Sequence, residues 1–158
     1  MKHPPILVVG LGNPIMGDDS VGIHVVRVLK DRFQHRTDLE FKELSVGGLR
    51  LVEELLGYEK AFIVDSASCR GTVGRIREFL PEQLKDTLYA SSPHVTNFAT
   101  ALELYTRLGK DAIPPTIRVF TIDIESEFTF SENMSPAVQT AASQLVELVA
   151  SQLNQIHN

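Results

Sequence analysis

Short apolar runs and helix-like repeats alternate along this chain. The segments ILVV and FIV are apolar without alternation, which is typical of strands that are buried on both faces. A less regular alternating pattern predicts an edge strand over 72–80, antiparallel to its neighbour. The five predicted strands cover residues 6–9, 39–44, 60–67, 72–80 and 116–124.

Helical patterns fill the gaps between these strands. Val21, Val25 and Leu29 share one face of the first helix, and Ser92-Pro93 supplies an N-cap followed by a first helical position. Helices are predicted over 20–33, 49–58, 93–109 and from Ser135-Pro136 to the C-terminal end, with a short helix or loop over 81–89. The alternation of strands and helices predicts an α/β fold, a three-layer α/β/α sandwich around a twisted, mostly parallel five-stranded sheet.

Length and composition indicate an ordinary globular protein. The chain has 158 residues, of which 43% are hydrophobic and 22% are charged, so we expect one domain over residues 1–158. The formal net charge is -5 and no basic run is present, which argues against a nucleic-acid partner. No apolar segment approaches the length of a membrane span. The single cysteine, Cys69, excludes an internal disulfide and fits a reducing compartment, and we expect a cytoplasmic protein.

The glycine-rich segment GLGNPIMGDDSVG, residues 10–22, follows the first strand and suggests two kinds of site. A dinucleotide loop needs a further glycine and a helix start free of negative charge, whereas this segment carries Asp18 and Asp19. A P-loop is excluded because no GK[ST] follows. The paired carboxylates therefore favour a cation over a phosphate, and the glycines are expected to form a tight turn that leaves room for a substrate backbone.

Polar side chains that suit a metal site follow several predicted elements. Asp18 or Asp19 follows the first strand, Asp65 ends the run KAFIVD, and His94 begins the helix after SSP. The carboxyl ends of parallel strands meet at one edge of a sheet, so the acidic groups should lie near each other. Two carboxylates and an imidazole form a ligand set that suits a divalent metal such as zinc or nickel.

The same segments carry a resemblance to a known family. GLGNPIMGDDSVG, IVDSA, SSPHVTNFATAL, the Gly47-Gly48 pair and the MSPAV segment together resemble the hydrogenase maturation endopeptidases. The resemblance covers nearly the whole chain. It implies a compact α/β/α domain that removes a short C-terminal extension from the large-subunit precursor of a NiFe hydrogenase after nickel insertion.

The resemblance also implies roles for individual residues. Asp19, Asp65 and His94 would be both the catalytic residues and the ligands of nickel, which the substrate supplies, and zinc or cadmium would occupy the site in vitro. Two further roles follow from the residues themselves and not from the resemblance. Asp18 is expected to cap the first helix, because a helix start favours an acidic side chain. A free carboxylate, Asp18 or Glu43, would be the general base. The partner would be the large-subunit precursor, with no nucleic acid or membrane, and a monomer is favoured.

Two alternatives remain open at this stage. The string VGLGNP also opens peptidyl-tRNA hydrolases, although here IMGDDSVG follows it and the next histidine is His24. A non-catalytic nickel-checkpoint module would use the same ligands without cleavage. Covalent catalysis is disfavoured because no Ser/His/Asp or Cys/His arrangement is visible.

Overall fold

The five predicted strands form one mixed sheet. The structure, a computed structural model, describes residues 4–68, 71–84, 93–109, 112–125 and 130–156, without the side chains of 93–96. The strands are β1 (Ile6–Leu11), β2 (Leu39–Leu44), β3 (Lys60–Ser68), β4 (Ile76–Phe79) and β5 (Thr116–Ile124), in the order β2-β1-β3-β5-β4. Only β4 is antiparallel to its neighbour within this sheet, so the predicted antiparallel edge strand is confirmed.

Four α-helices connect the strands. They are α1 (Val21–Arg32), α2 (Gly48–Leu55), α3 (Pro93–Arg107) and α4 (Pro136–Ile156), with short 3-10 helices at Gly17–Ser20 and Pro81–Leu84. No helix in the described ranges has an apolar stretch that would cross a bilayer. The predicted helix over 49–58 is too long, because Gly57 adopts a φ of 87° and turns the chain after Leu55. Cys69 and residues 85–89 of the segment 81–89 lie outside the described residues.

Each face of the sheet packs against one pair of helices, which confirms the three-layer architecture. On one face, Val8, Phe62 and Phe120 pack in a cluster that includes residues of α1 and α4. On the other face, alternate residues of the same strands form a second cluster with α2 and α3, among them Leu7, Val9, Ala61, Ile63 and Val119. The central strands carry apolar runs on both faces because helices cover both sides of the sheet, and their buried polar residues lie toward their carboxyl ends.

A glycine at the start of α1 allows the helix to lie directly against the strands. A Cβ on Gly22 would lie 2.4 Å from the carbonyl oxygen of Leu11 and 2.4 Å from that of Val64. Gly10, on β1, faces the backbone of Gly22 equally closely. Because backbone atoms have little freedom to move away, this contact fixes where α1 begins relative to the end of β1 and the middle of β3.

The close contact at Gly22 gives a stability prediction. Gly22→Ala should lower the free energy of unfolding by at least about 2–3 kcal/mol, since the added methyl would meet two backbone carbonyls. Gly71→Ala is the matched control, because nothing lies within 4 Å of the Cβ that it would add. Urea denaturation of both variants measures the difference. Equal midpoints for the two variants would show that the contact is not restrictive.

Candidate active site

The opening loop folds back onto the end of β1. Gly12 has a φ of 144°, and a Cβ there would lie 2.1 Å from the carbonyl oxygen of Asp19. The hydroxyl of Ser45, just past β2, donates to the Gly12 carbonyl at 2.8 Å. The expectation that the glycines leave room for a substrate backbone is wrong for Gly10 and Gly12, because Gly22 and Asp19 occupy that space.

The carboxylate of Asp19 is held from two sides. Its Oδ1 accepts a hydrogen bond from the hydroxyl of Ser66 at 2.7 Å, and its Oδ2 accepts one from the backbone N–H of Asn13 at 3.1 Å. Asp19 is half-buried. Each carboxylate oxygen has a further lone pair, so these bonds orient the group and leave it able to bind a cation.

Asp65 lies in β3, the central strand of the sheet, directly before Ser66. It is 0% exposed, and its Oδ1 accepts a hydrogen bond from the backbone N–H of Ser66 at 2.8 Å. Asp65 is not at the tip of β3, since the strand continues to Ser68, but pairing with β1 ends at Val64. Ser66 therefore bonds to both acids, through its N–H to Asp65 and through its hydroxyl to Asp19.

The third predicted ligand, His94, lies in the first turn of α3. The helix begins at Pro93 as predicted, whereas the side chain of His94 lies outside the described residues. This turn is at the same edge of the sheet, because the Cβ of Asn97 is 3.6 Å from where a Cβ on Gly48 would lie. Among the side chains that are described, no three His, Cys, Asp or Glu residues form a cluster that would hold a metal. The role of His94 stays a prediction.

Asp18 does not cap α1. No side chain caps that helix, and the Asp18 carboxylate instead accepts hydrogen bonds from the N–H and the hydroxyl of Ser135, at 2.6 and 2.9 Å. The N–H of Gly17 also donates to the carbonyl of Ser131 at 2.7 Å. The residue beside Asp19 therefore fastens the loop to the segment that begins α4.

Glu43, the other suggested base, is bound in an ion pair. Both of its oxygens accept hydrogen bonds from Arg27, at 2.9 and 2.8 Å. The hydrogen bond from Arg27 lowers the pKa of Glu43 below its usual value. Glu43 lies two residues after Phe41 on β2, so both side chains are on the same face of the sheet, the face that packs against α1 and α4. Asp65 faces the opposite side, toward α2 and α3. These features make Glu43 a poor general base.

Sequence reasoning missed the serines that hold the acids. Ser66 follows Asp65 directly, and its contact with Asp19 spans 47 positions of the chain. Ser135 lies 117 positions from Asp18. The position of Ser66 directly after Asp65 was the only sequence feature that could have indicated its role. The contacts of Ser66 with Asp19 and of Ser135 with Asp18 both depend on how the opening loop folds.

The chain is similar to known proteins in sequence and in fold. A family model described as hydrogenase maturation protease matches residues 23–152. The matched range contains Asp65 and His94 and begins after Asp19. No curated protein matches the sequence.

Solved structures of similar fold include several proteins of the same description. The hydrogenase maturating endopeptidase HybD from E. coli superposes with a TM-score of 0.75 at 20% identity, covering 95% of this chain and 92% of that one. A hydrogenase 2 maturation peptidase from a Thaumarchaeota archaeon has a TM-score of 0.66 at 25% identity, with coverage of 94% and 97%. The NiFe hydrogenase maturation protease HycI from Thermococcus kodakarensis KOD1 has a TM-score of 0.70 at 23% identity, with coverage of 96% and 93%.

The family match decides between the enzyme classes that the opening loop suggested. It covers well over half of the chain, and the strand order and antiparallel β4 agree with the fold of the solved structures. The peptidyl-tRNA hydrolase alternative, which depended on one short string, is therefore set aside. The chain belongs to the hydrogenase maturation protease family, and its fold is that of a hydrogenase maturation endopeptidase.

Proposed function

We propose that this protein removes the C-terminal extension of a NiFe hydrogenase large-subunit precursor after nickel insertion, and that Asp19, Asp65 and His94 recognise the nickel. The observation that carries the proposal is the double contact of Ser66, which joins Asp19 and Asp65 at the carboxyl end of the central strands. Buried or half-buried carboxylates at one edge of a sheet are unfavourable unless a cation or hydrogen-bond donors compensate their charge. A divalent metal bound at this edge would compensate the negative charge of both Asp19 and Asp65.

The surroundings of the two acids support metal recognition. Asp19 is oriented by Ser66 and Asn13 and keeps lone pairs for a metal. Asp65 is fully buried, so binding requires the residues that cover it to move aside. The backbone of His94 lies in the first turn of α3, the helix that packs on the face of Asp65. Nickel and imidazole are a favourable pair among divalent metals and protein ligands.

In the proposed reaction, the precursor brings its nickel and its scissile bond into the site together. Coordination by the three residues fixes the position of that bond, which lowers the entropic cost of reaching the transition state. Nickel polarises the scissile carbonyl or lowers the pKa of a water molecule that attacks it. Asp18 and Glu43 are engaged by Ser135 and Arg27, so we assign neither residue as the base.

The dependence on nickel is tested with the purified precursor. Nickel-loaded precursor should lose the mass of its C-terminal extension when mixed with the protein, because the three ligands then have a metal to bind. Metal-free precursor should stay intact under the same conditions, as measured by mass spectrometry. Zinc or cadmium is expected to occupy the same ligands in vitro. Equal processing of both precursors would contradict recognition through nickel, and binding without any loss of mass would indicate a checkpoint module.

The ligand assignment is tested by two isosteric substitutions and one truncation. Asp19→Asn, Asp65→Asn and His94→Ala should each lower processing by at least about a hundredfold, since a metal ligand is lost. Glu43→Gln is the matched control and should stay within about threefold of the wild type, because it only breaks an exposed ion pair. Kinetics on nickel-loaded precursor measure each variant, with circular dichroism as a check of folding. Full activity in any of the three would remove that residue from the site.

A further inference from the structure

A buried hydroxyl lies beside Asp65. Thr121 on β5 is the direct partner of Asp65 on β3 in the strand register. Only 3% of Thr121 is exposed, and its Oγ1 has no hydrogen-bond partner in the part of the chain that the structure describes. A buried hydroxyl without a partner is unfavourable, so its presence calls for an explanation.

Thr121 and Asp65 belong to the same face of the sheet. Ile117 and Val119 of β5 pack with Ile63 of β3 in the cluster beneath α2 and α3. Because side chains alternate along a strand, Thr121 and Asp65 continue that row toward the carboxyl edge. Neighbouring strands lie about 4.8 Å apart, so rotation of the side chains would bring the hydroxyl within hydrogen-bonding reach of the carboxylate.

The neighbouring ion pair does not require the Thr121 hydroxyl. Asp123, on the same face, is 1% exposed, and its Oδ2 accepts a hydrogen bond from Arg77 at 2.9 Å. Arg77 is the partner of Thr121 on β4, so Thr121 stands between Arg77 and Asp65 across the sheet. Arg77 supplies the donor to Asp123, and a guanidinium cannot accept a hydrogen bond, so the proton of the Thr121 hydroxyl is available for the other side.

We propose that Thr121 is a positioning residue for Asp65. When the precursor's nickel binds, the Thr121 hydroxyl donates to one oxygen of the Asp65 carboxylate and turns the other oxygen toward the metal. Residues that donate to metal-binding carboxylates fix their orientation and strengthen binding. This inference rests on the proposed function, because it assumes that Asp65 binds nickel.

The test uses Thr121→Val, which removes the hydroxyl and keeps the shape of the side chain, and Thr121→Ser, which keeps the hydroxyl. Thr116→Val, the same change at the opposite end of β5, is the matched control. For Thr121→Val, we expect affinity for nickel-loaded precursor to fall about tenfold and KM to rise with it. Affinity for metal-free precursor should not change, and Thr121→Ser should restore binding.

Stability separates a positioning role from a structural one. Thr121→Val loses a hydroxyl that has no partner, so its Tm should stay equal or rise by about 2–4 °C. A fall in Tm, unchanged affinity for nickel-loaded precursor, or failure of Thr121→Ser to restore binding would each overturn the inference. Failure of the wild type to process nickel-loaded precursor would instead contradict the proposed function itself.

Discussion

The hydrogen bonds of Ser66 are the interaction on which the candidate site depends. Its N–H and its hydroxyl bond to Asp65 and Asp19, which come from different segments of the chain. One residue thus contacts both carboxylates, through its backbone to Asp65 and through its side chain to Asp19. A pair of acids held in this way is suited to a divalent cation, and this property connects the fold to the proposed chemistry.

The loop that carries Asp19 is itself held by contacts from several directions. The carbonyl of Asp19 packs where Gly12 has no side chain, and Gly22 lets α1 start against the end of β1 and the middle of β3. Asp18 then bonds to Ser135 at the start of α4. These contacts place the carboxylate on a rigid support, which precise metal recognition requires. The acid beside the predicted ligand is therefore used for structure.

The apolar patterns predicted the fold well. The bounds of β2 and β5 match the structure, because apolar and polar residues change sharply at their ends. The end of α2 was missed because the apolar pattern continues to Tyr58 after Gly57 has turned the chain. For the site, the topology explains why Asp19 and Asp65 both lie beside Ser66 at the carboxyl end of β1 and β3. The contacts of Asp18 and Ser66, and the position of Thr121 beside Asp65 in the strand register, could not be predicted, since they depend on loop folding and strand pairing.

The central claim is that side chains of this protein complete the coordination of nickel carried by the precursor. Nickel X-ray absorption fine structure tests this directly, with the precursor measured alone and in complex with the protein, frozen before cleavage. Complex formation should add nitrogen and oxygen neighbours at about 2.1 Å, a distance typical of such ligands on a divalent first-row metal. Unchanged nickel coordination in a complex that later releases its C-terminal extension would contradict the claim.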